Sequence, residues 1–128
     1  MTLRARELAG DVQVGSSPTA LRKRIVFVMD LSGSMYTFNR LDGRLERLLE
    51  IAVLIFEAFD GSEDKYEYAM VGHSGSTARE SLVEWRQPPT TRKARLQLIA
   101  RMAAHAQYCW SGDHTLDATQ RAIKEVHR

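Results

Sequence analysis

Six residues, Ile25-Val26-Phe27-Val28-Met29-Asp30, are β-formers or large apolar groups up to a closing acid. A strand with one wet face alternates apolar and polar residues. This one does not, so it reads as a central parallel strand covered on both faces. A parallel partner needs a crossover helix, which places the chain among layered α/β folds. Asp30-Leu31-Ser32-Gly33-Ser34 follows as a polar loop, with Gly33 as the residue that lets the backbone turn.

Downstream periodicity supplies the other elements. Leu45, Leu48, Leu49, Ala52, Val53, Phe56 and Phe59 recur at helical spacing, predicting a helix over 43–59 with Asp42 as N-cap and Gly61 as stop. Tyr66 to Gly72 reads as a second strand. Ser81 to Trp85 alternates and reads as a half-buried edge strand ended by Pro88-Pro89. A second helix is expected over 92–107, with Leu96, Ile99, Met102, Ala103 and Ala106 inward. A loop from Tyr108 to His114 leads to a third helix that buries Leu116, Ala122, Ile123 and Val126. The expected order is β-α-β-β-α-α, an open sheet of about three strands with a right-handed βαβ unit.

Residues 1–24 show no sustained apolar period and carry Gly10, Gly15, Ser16, Ser17 and Pro18, so they read as a linker or disordered tail. They hold five basic and two acidic residues, whereas the rest holds thirteen basic and fourteen acidic. The folded part is therefore not a basic nucleic-acid surface. The longest apolar run, Ile51 to Phe56, is far too short to cross a membrane. The single cysteine, Cys109, excludes an intrachain disulfide.

In open α/β sheets ligands bind beyond the carboxyl ends of the strands. Asp30, Ser32 and Ser34 stand there at i, i+2 and i+4, one carboxylate and two hydroxyls able to converge on one point. Hard oxygens carrying little charge suit Mg²⁺. Asp and Ser are also ordinary turn residues that bond their own backbone, and on three positions alone both readings stand.

The run Phe27 to Met35 resembles the metal-ion-dependent adhesion motif, DxSxS, of von Willebrand factor A (VWA) domains. Four blocks, Asp30 to Met35, Asp42 to Arg47, Val71-Gly72-His73-Ser74-Gly75 and Ser111-Gly112-Asp113-His114-Thr115, resemble one branch of that family in order. The resemblance implies a Rossmann-like doubly wound α/β fold, with residues 25–128 its N-terminal part. It is expected to be incomplete, because the family carries a further strand and aspartate after these blocks. It adds Thr115 to Asp30, Ser32 and Ser34 as metal residues, with Mg²⁺ or another divalent cation as cofactor. It implies a protein-binding module whose partner offers an acidic side chain, such as an AAA+ ATPase module or its client. Members of this branch carry an AAA+ ATPase region upstream. No G-x-x-x-x-G-K-[ST] phosphate loop occurs in this chain, so no ATPase activity is expected of it. The branch places the protein inside the cell, in the bacterial cytoplasm or the mitochondrion.

The remaining signals favour structural roles. Gly72-His73-Ser74-Gly75-Ser76 misses the fifth glycine of a nucleophile elbow and reads as a loop at the rim of the site. His73, His105, Cys109 and His114 lack paired zinc spacing and read as structural or surface groups. Arg40, Arg44, Glu46, Arg47 and Glu50 read as a solvated charged face. Two other functions compete with the binding module: an inactive piece of a longer ATPase–VWA protein, and a phosphotransferase with Asp30 as nucleophile. The second lacks a paired carboxylate, since position 32 is serine.

Overall fold

The computed structural model describes residues 21–109 and 115–127. Residues 1–20 of the expected tail and the loop residues 110–114 lie outside the described residues. Among the described residues three strands and five helices follow in the order β1 (Lys23–Asp30), α1 (Gly33–Thr37), α2 (Asn39–Asp42), α3 (Arg44–Ala58), β2 (Tyr66–His73), β3 (Glu80–Val83), α4 (Arg92–Tyr108) and α5 (Thr115–Val126). The α/β class holds. Two short helices, α1 and α2, were not legible in the periodicity. β1 also begins at Lys23, inside the stretch read as tail.

The sheet order is β1-β2-β3, with β1 parallel and β3 antiparallel to β2. Among the described residues the central strand is therefore β2, and β1 has one strand neighbour. The apolar character of Ile25–Met29 on both faces fits the helices that pack above and below the sheet. Ile25, Phe27 and Met29 align with Tyr68, Met70 and Gly72 and turn to the core built with Phe56 and Ala52 of α3 and Leu98 and Met102 of α4. Arg24, Val26, Val28 and Asp30 have the opposite parity. On that side α5 packs against β1, and Arg24 Nη1 donates to the Val126 carbonyl in its last turn at 3.3 Å.

Helix α3 starts one residue later than expected because α2 runs almost directly into it. Gly43, at φ +67°, makes the left-handed joint. Asp42 still serves the new helix: its Oδ1 accepts from Arg44 N–H at 3.1 Å, while Asn39 Oδ1 accepts from Glu46 N–H at 3.1 Å. Helix α4 begins where expected, with Thr91 Oγ1 accepting from Ala94 N–H at 3.1 Å.

The inward faces of the last two helices keep part of the expected set: Met102, Ala106 and Ala122 are buried and Ile99 packs against the core, whereas Leu96, Leu116 and Ile123 are exposed. In α4 the buried stripe is Leu98, Met102 and Ala106, and Leu96 is 57% exposed. In α5 it is Ala118 and Ala122, with Leu116 and Ile123 exposed. Both stripes step by four residues. Two alanines let α5 approach β1 closely, which a face of leucine and isoleucine would prevent. No described helix is long and apolar enough to cross a membrane.

Candidate metal site at the end of the first strand

Asp30 ends β1 opposite His73, the last residue of β2. One more ladder bond, Leu31 N–H to the His73 carbonyl at 2.8 Å, carries the pairing into the loop. The chain then turns on Ser32, which is extended (φ −65°, ψ 158°) and opens α1. Gly33 is the first residue of that helix and has no positive φ. The turn thus comes from Ser32 and the start of a helix, correcting the role expected of Gly33.

The loop is closed by its own side chains. Asp30 Oδ1 accepts from Ser32 N–H at 2.9 Å, and Ser32 Oγ lies 3.0 Å from Ser34 Oγ. The loop is thus a turn that bonds its own backbone, and it carries three oxygen-bearing side chains on five residues. Thr115 sits apart in the chain, exposed at the opening of α5, its carbonyl accepting from Thr119 Oγ1 at 2.8 Å.

The donor set can be tested against the cation. Magnesium takes oxygens in an octahedron at about 2.0–2.1 Å, so neighbouring ligand oxygens stand about 2.9 Å apart. The Ser32–Ser34 separation of 3.0 Å matches one edge of such an octahedron. Asp30 Oδ2 is not used by the bond to Ser32, which leaves one carboxylate oxygen for an ion. A further positive group stands near: the guanidinium of Arg44 is held in its charged form first by its hydrogen bond to Asp42 and, more weakly, by the charge of Asp30.

Two contacts between distant residues hold the loop, and a third fixes the loop after β2. Leu31, fully buried, packs onto Gly72 of β2, where a Cβ would meet it at 2.5 Å. The Cys109 thiol donates to the Leu31 carbonyl at 3.3 Å. His105 Nε2 lies 2.8 Å from Ser74 Oγ, which also accepts from Ser76 N–H at 3.1 Å. Ser74 is fully buried, and its hydroxyl ties the β2 loop to α4. None of these was foreseen; spacing along the chain holds no signal for them. His73 is buried rather than at an open rim, and its Nδ1 has no hydrogen-bond partner among the described residues. The described residues contain no group of three or more His, Cys, Asp or Glu placed to hold a metal; His114, of the four weighed as a zinc set, lies outside them.

Comparison with known proteins adds what geometry alone does not. No family model and no solved structure matches the chain. A curated relative, von Willebrand factor A domain-containing protein 8 of Mus musculus, is 46% identical over 114 residues, which is 89% of this chain and 6% of that protein. A match at that identity spans nearly the whole chain, and it coincides with a three-stranded α/β sheet whose first strand ends in Asp30-Leu31-Ser32-Gly33-Ser34. On both grounds the chain carries a von Willebrand factor A-like domain.

Proposed function

We propose that this domain is a metal-ion-dependent protein-binding module, without catalytic activity of its own. The observation that carries the reading is the pair of hydroxyls, Ser32 and Ser34, 3.0 Å apart on the loop closed by Asp30. Asp30, Ser32, Ser34 and Thr115 would hold a Mg²⁺ ion, with one carboxylate to offset its two charges. A dication so weakly neutralised binds a further anion strongly. The residues of this chain then perform three tasks. Asp30 supplies the charge. The serines fix direction, because their backbone is pinned by Leu31 and by the ladder bond to His73. Arg44 adds positive potential beside the loop.

The partner contributes a carboxylate. An AAA+ ATPase module or its client is the partner we infer from the family resemblance, with the chain acting as adaptor inside the cell, in the bacterial cytoplasm or the mitochondrion. The chain spans 6% of the length of its mouse relative, so these partners are inferred for the branch and not read from the fold.

The test is thermal denaturation of the full chain in excess Mg²⁺ and in EDTA, beside Ser34→Ala. Binding at a hundredfold excess over Kd stabilises by about 2.7 kcal/mol, which raises Tm by several degrees. The expected result is a Mg²⁺-dependent rise in the parent that Ser34→Ala abolishes. A rise of equal size in both proteins, or none in the parent, rejects the site.

A further inference from the structure

We infer that the rim of the Asp30–Ser34 loop recognises a partner-protein segment in which a carboxylate stands beside a large apolar side chain. The carboxylate half rests on the metal reading above; the apolar half rests on different residues. Tyr36, Phe38 and Leu41 follow the loop within seven positions and are 44%, 43% and 82% exposed. They belong to α1 and α2 and the residue joining them, and neither helix buries a single residue. Tyr108, 78% exposed, closes α4 next to Cys109, whose thiol touches the Leu31 carbonyl. Large apolar groups therefore follow the loop directly on α1 and α2, and the end of α4 lies against it through Cys109.

Single exposed apolar residues are normal on a soluble protein. Exposed large apolar groups grouped on two short helices that bury no residue completely are different, because this part of their surface is turned to solvent and not to the core. Its charge selects the occupant. The segment 36–47 carries Arg40, Arg44 and Arg47 against Asp42 and Glu46. Asp42 is already engaged by Arg44 through bonds of 2.6–3.1 Å, and Arg44 also lies over the Phe38 ring at 5.0 Å. The unspent charge is positive, and a cation on the loop would add to it. An acidic segment is attracted and a basic one repelled, and the exposed rings and Leu41 supply an apolar seat beside the carboxylate position.

The probes are three labelled synthetic octapeptides, followed by fluorescence anisotropy on the full chain. One has an aspartate flanked by leucines, the second an aspartate flanked by serines, and the third an asparagine flanked by leucines. In Mg²⁺ the first should bind about tenfold or more tighter than either other, the scale expected for burying one leucine side chain. The double variant Phe38→Ser with Leu41→Ser should erase the difference between the first two peptides, while the Mg²⁺ rise in Tm stays as in the parent. Equal binding of those two peptides by the parent, with the Mg²⁺ rise present, overturns this inference and leaves the metal site standing. Leucine-dependent binding that persists in EDTA keeps the apolar surface and overturns the metal reading. A dimer of the parent that Leu41→Ser dissolves assigns the surface to a second copy of the chain and overturns the proposal.

Discussion

Gly72 leaves open the space that Leu31 fills: a Cβ at position 72 would stand 2.5 Å from Leu31 Cδ1 and 3.2 Å from its Cγ. The loop residue between Asp30 and Ser32 is thereby seated on the central strand. Gly72→Ala should force Leu31 aside and cost about 1–3 kcal/mol. Because Leu31 lies between two of the candidate ligands, the Mg²⁺ rise in Tm should shrink as well. Adding Leu31→Val should recover part of both. Urea denaturation with and without Mg²⁺ measures the two effects; a variant as stable as the parent would show that Leu31 repacks freely.

Thr115 gives a separate check on the metal residues, because it lies on α5 and not on the loop. Its side chain is exposed, so Thr115→Ala should leave stability in EDTA within about 0.5 kcal/mol. In Mg²⁺ the same variant should bind the ion more weakly than the parent. Calorimetric titration with Mg²⁺ reads this directly, and an unchanged affinity removes Thr115 from the site while leaving Asp30, Ser32 and Ser34.

Glu67 sets a pH dependence at the far end of the sheet. Its side chain is 9% exposed and meets Arg24 and Arg86, each at 2.8 Å. The hydrogen bond from Arg86, with smaller help from Arg24, holds its carboxyl below the usual glutamate value of 4.5. A depressed folded pKa means that the unfolded chain takes up the proton first. The contribution is therefore complete above pH 4.5 and is lost as pH falls through the lower folded value. Glu67→Gln should cost about 1–2 kcal/mol at pH 7 and flatten the fall in stability below pH 4.5, measured by urea denaturation across pH 3–7.

Tyr68 makes the opposite case. Its ring packs against Phe27 and Phe59 at centroid distances of 5.8 and 5.3 Å, but its hydroxyl is buried with no hydrogen-bond partner among the described residues. Burial pushes its pKa up to about 12. Tyr68→Phe keeps the ring contacts and removes an unsatisfied group, so stability at pH 7 should be unchanged or higher by up to about 1–2 kcal/mol. The parent should also lose stability as pH rises above 10, where the unfolded tyrosine ionises first, and the variant should lose less. A clear drop in Tm for Tyr68→Phe at pH 7 would mean that the hydroxyl has a partner.

Much of this protein was legible along the chain. The apolar run ending at Asp30 gave β1. Leucines at helical spacing gave α3. Turn-forming residues marked the loop that carries Asp30, Ser32 and Ser34 at the carboxyl end of a strand. These are local properties, set by side-chain periodicity and by backbone preferences over a few residues. Helices α1 and α2 escaped because they are five and four residues long and bury no residue completely, too short to show an apolar period.

Tertiary structure decided what depends on partners far away in sequence. Two-sided apolarity shows that helices cover both faces of β1 but not which strand lies beside it, so the parallel pairing of β1 with β2 appeared only with the tertiary structure. The phase of α5 was set by its packing on β1, which buries Ala118 and Ala122 and leaves Leu116 and Ile123 exposed, while α4 turns Leu98 and Met102 into the core beside α3. The seat of Leu31 on Gly72, the thiol of Cys109 at the Leu31 carbonyl and the His105–Ser74 bond join residues 31 to 78 positions apart. No periodicity encodes such pairs: packing selects them when the layers close, and that packing fixes the direction in which the loop presents its oxygens.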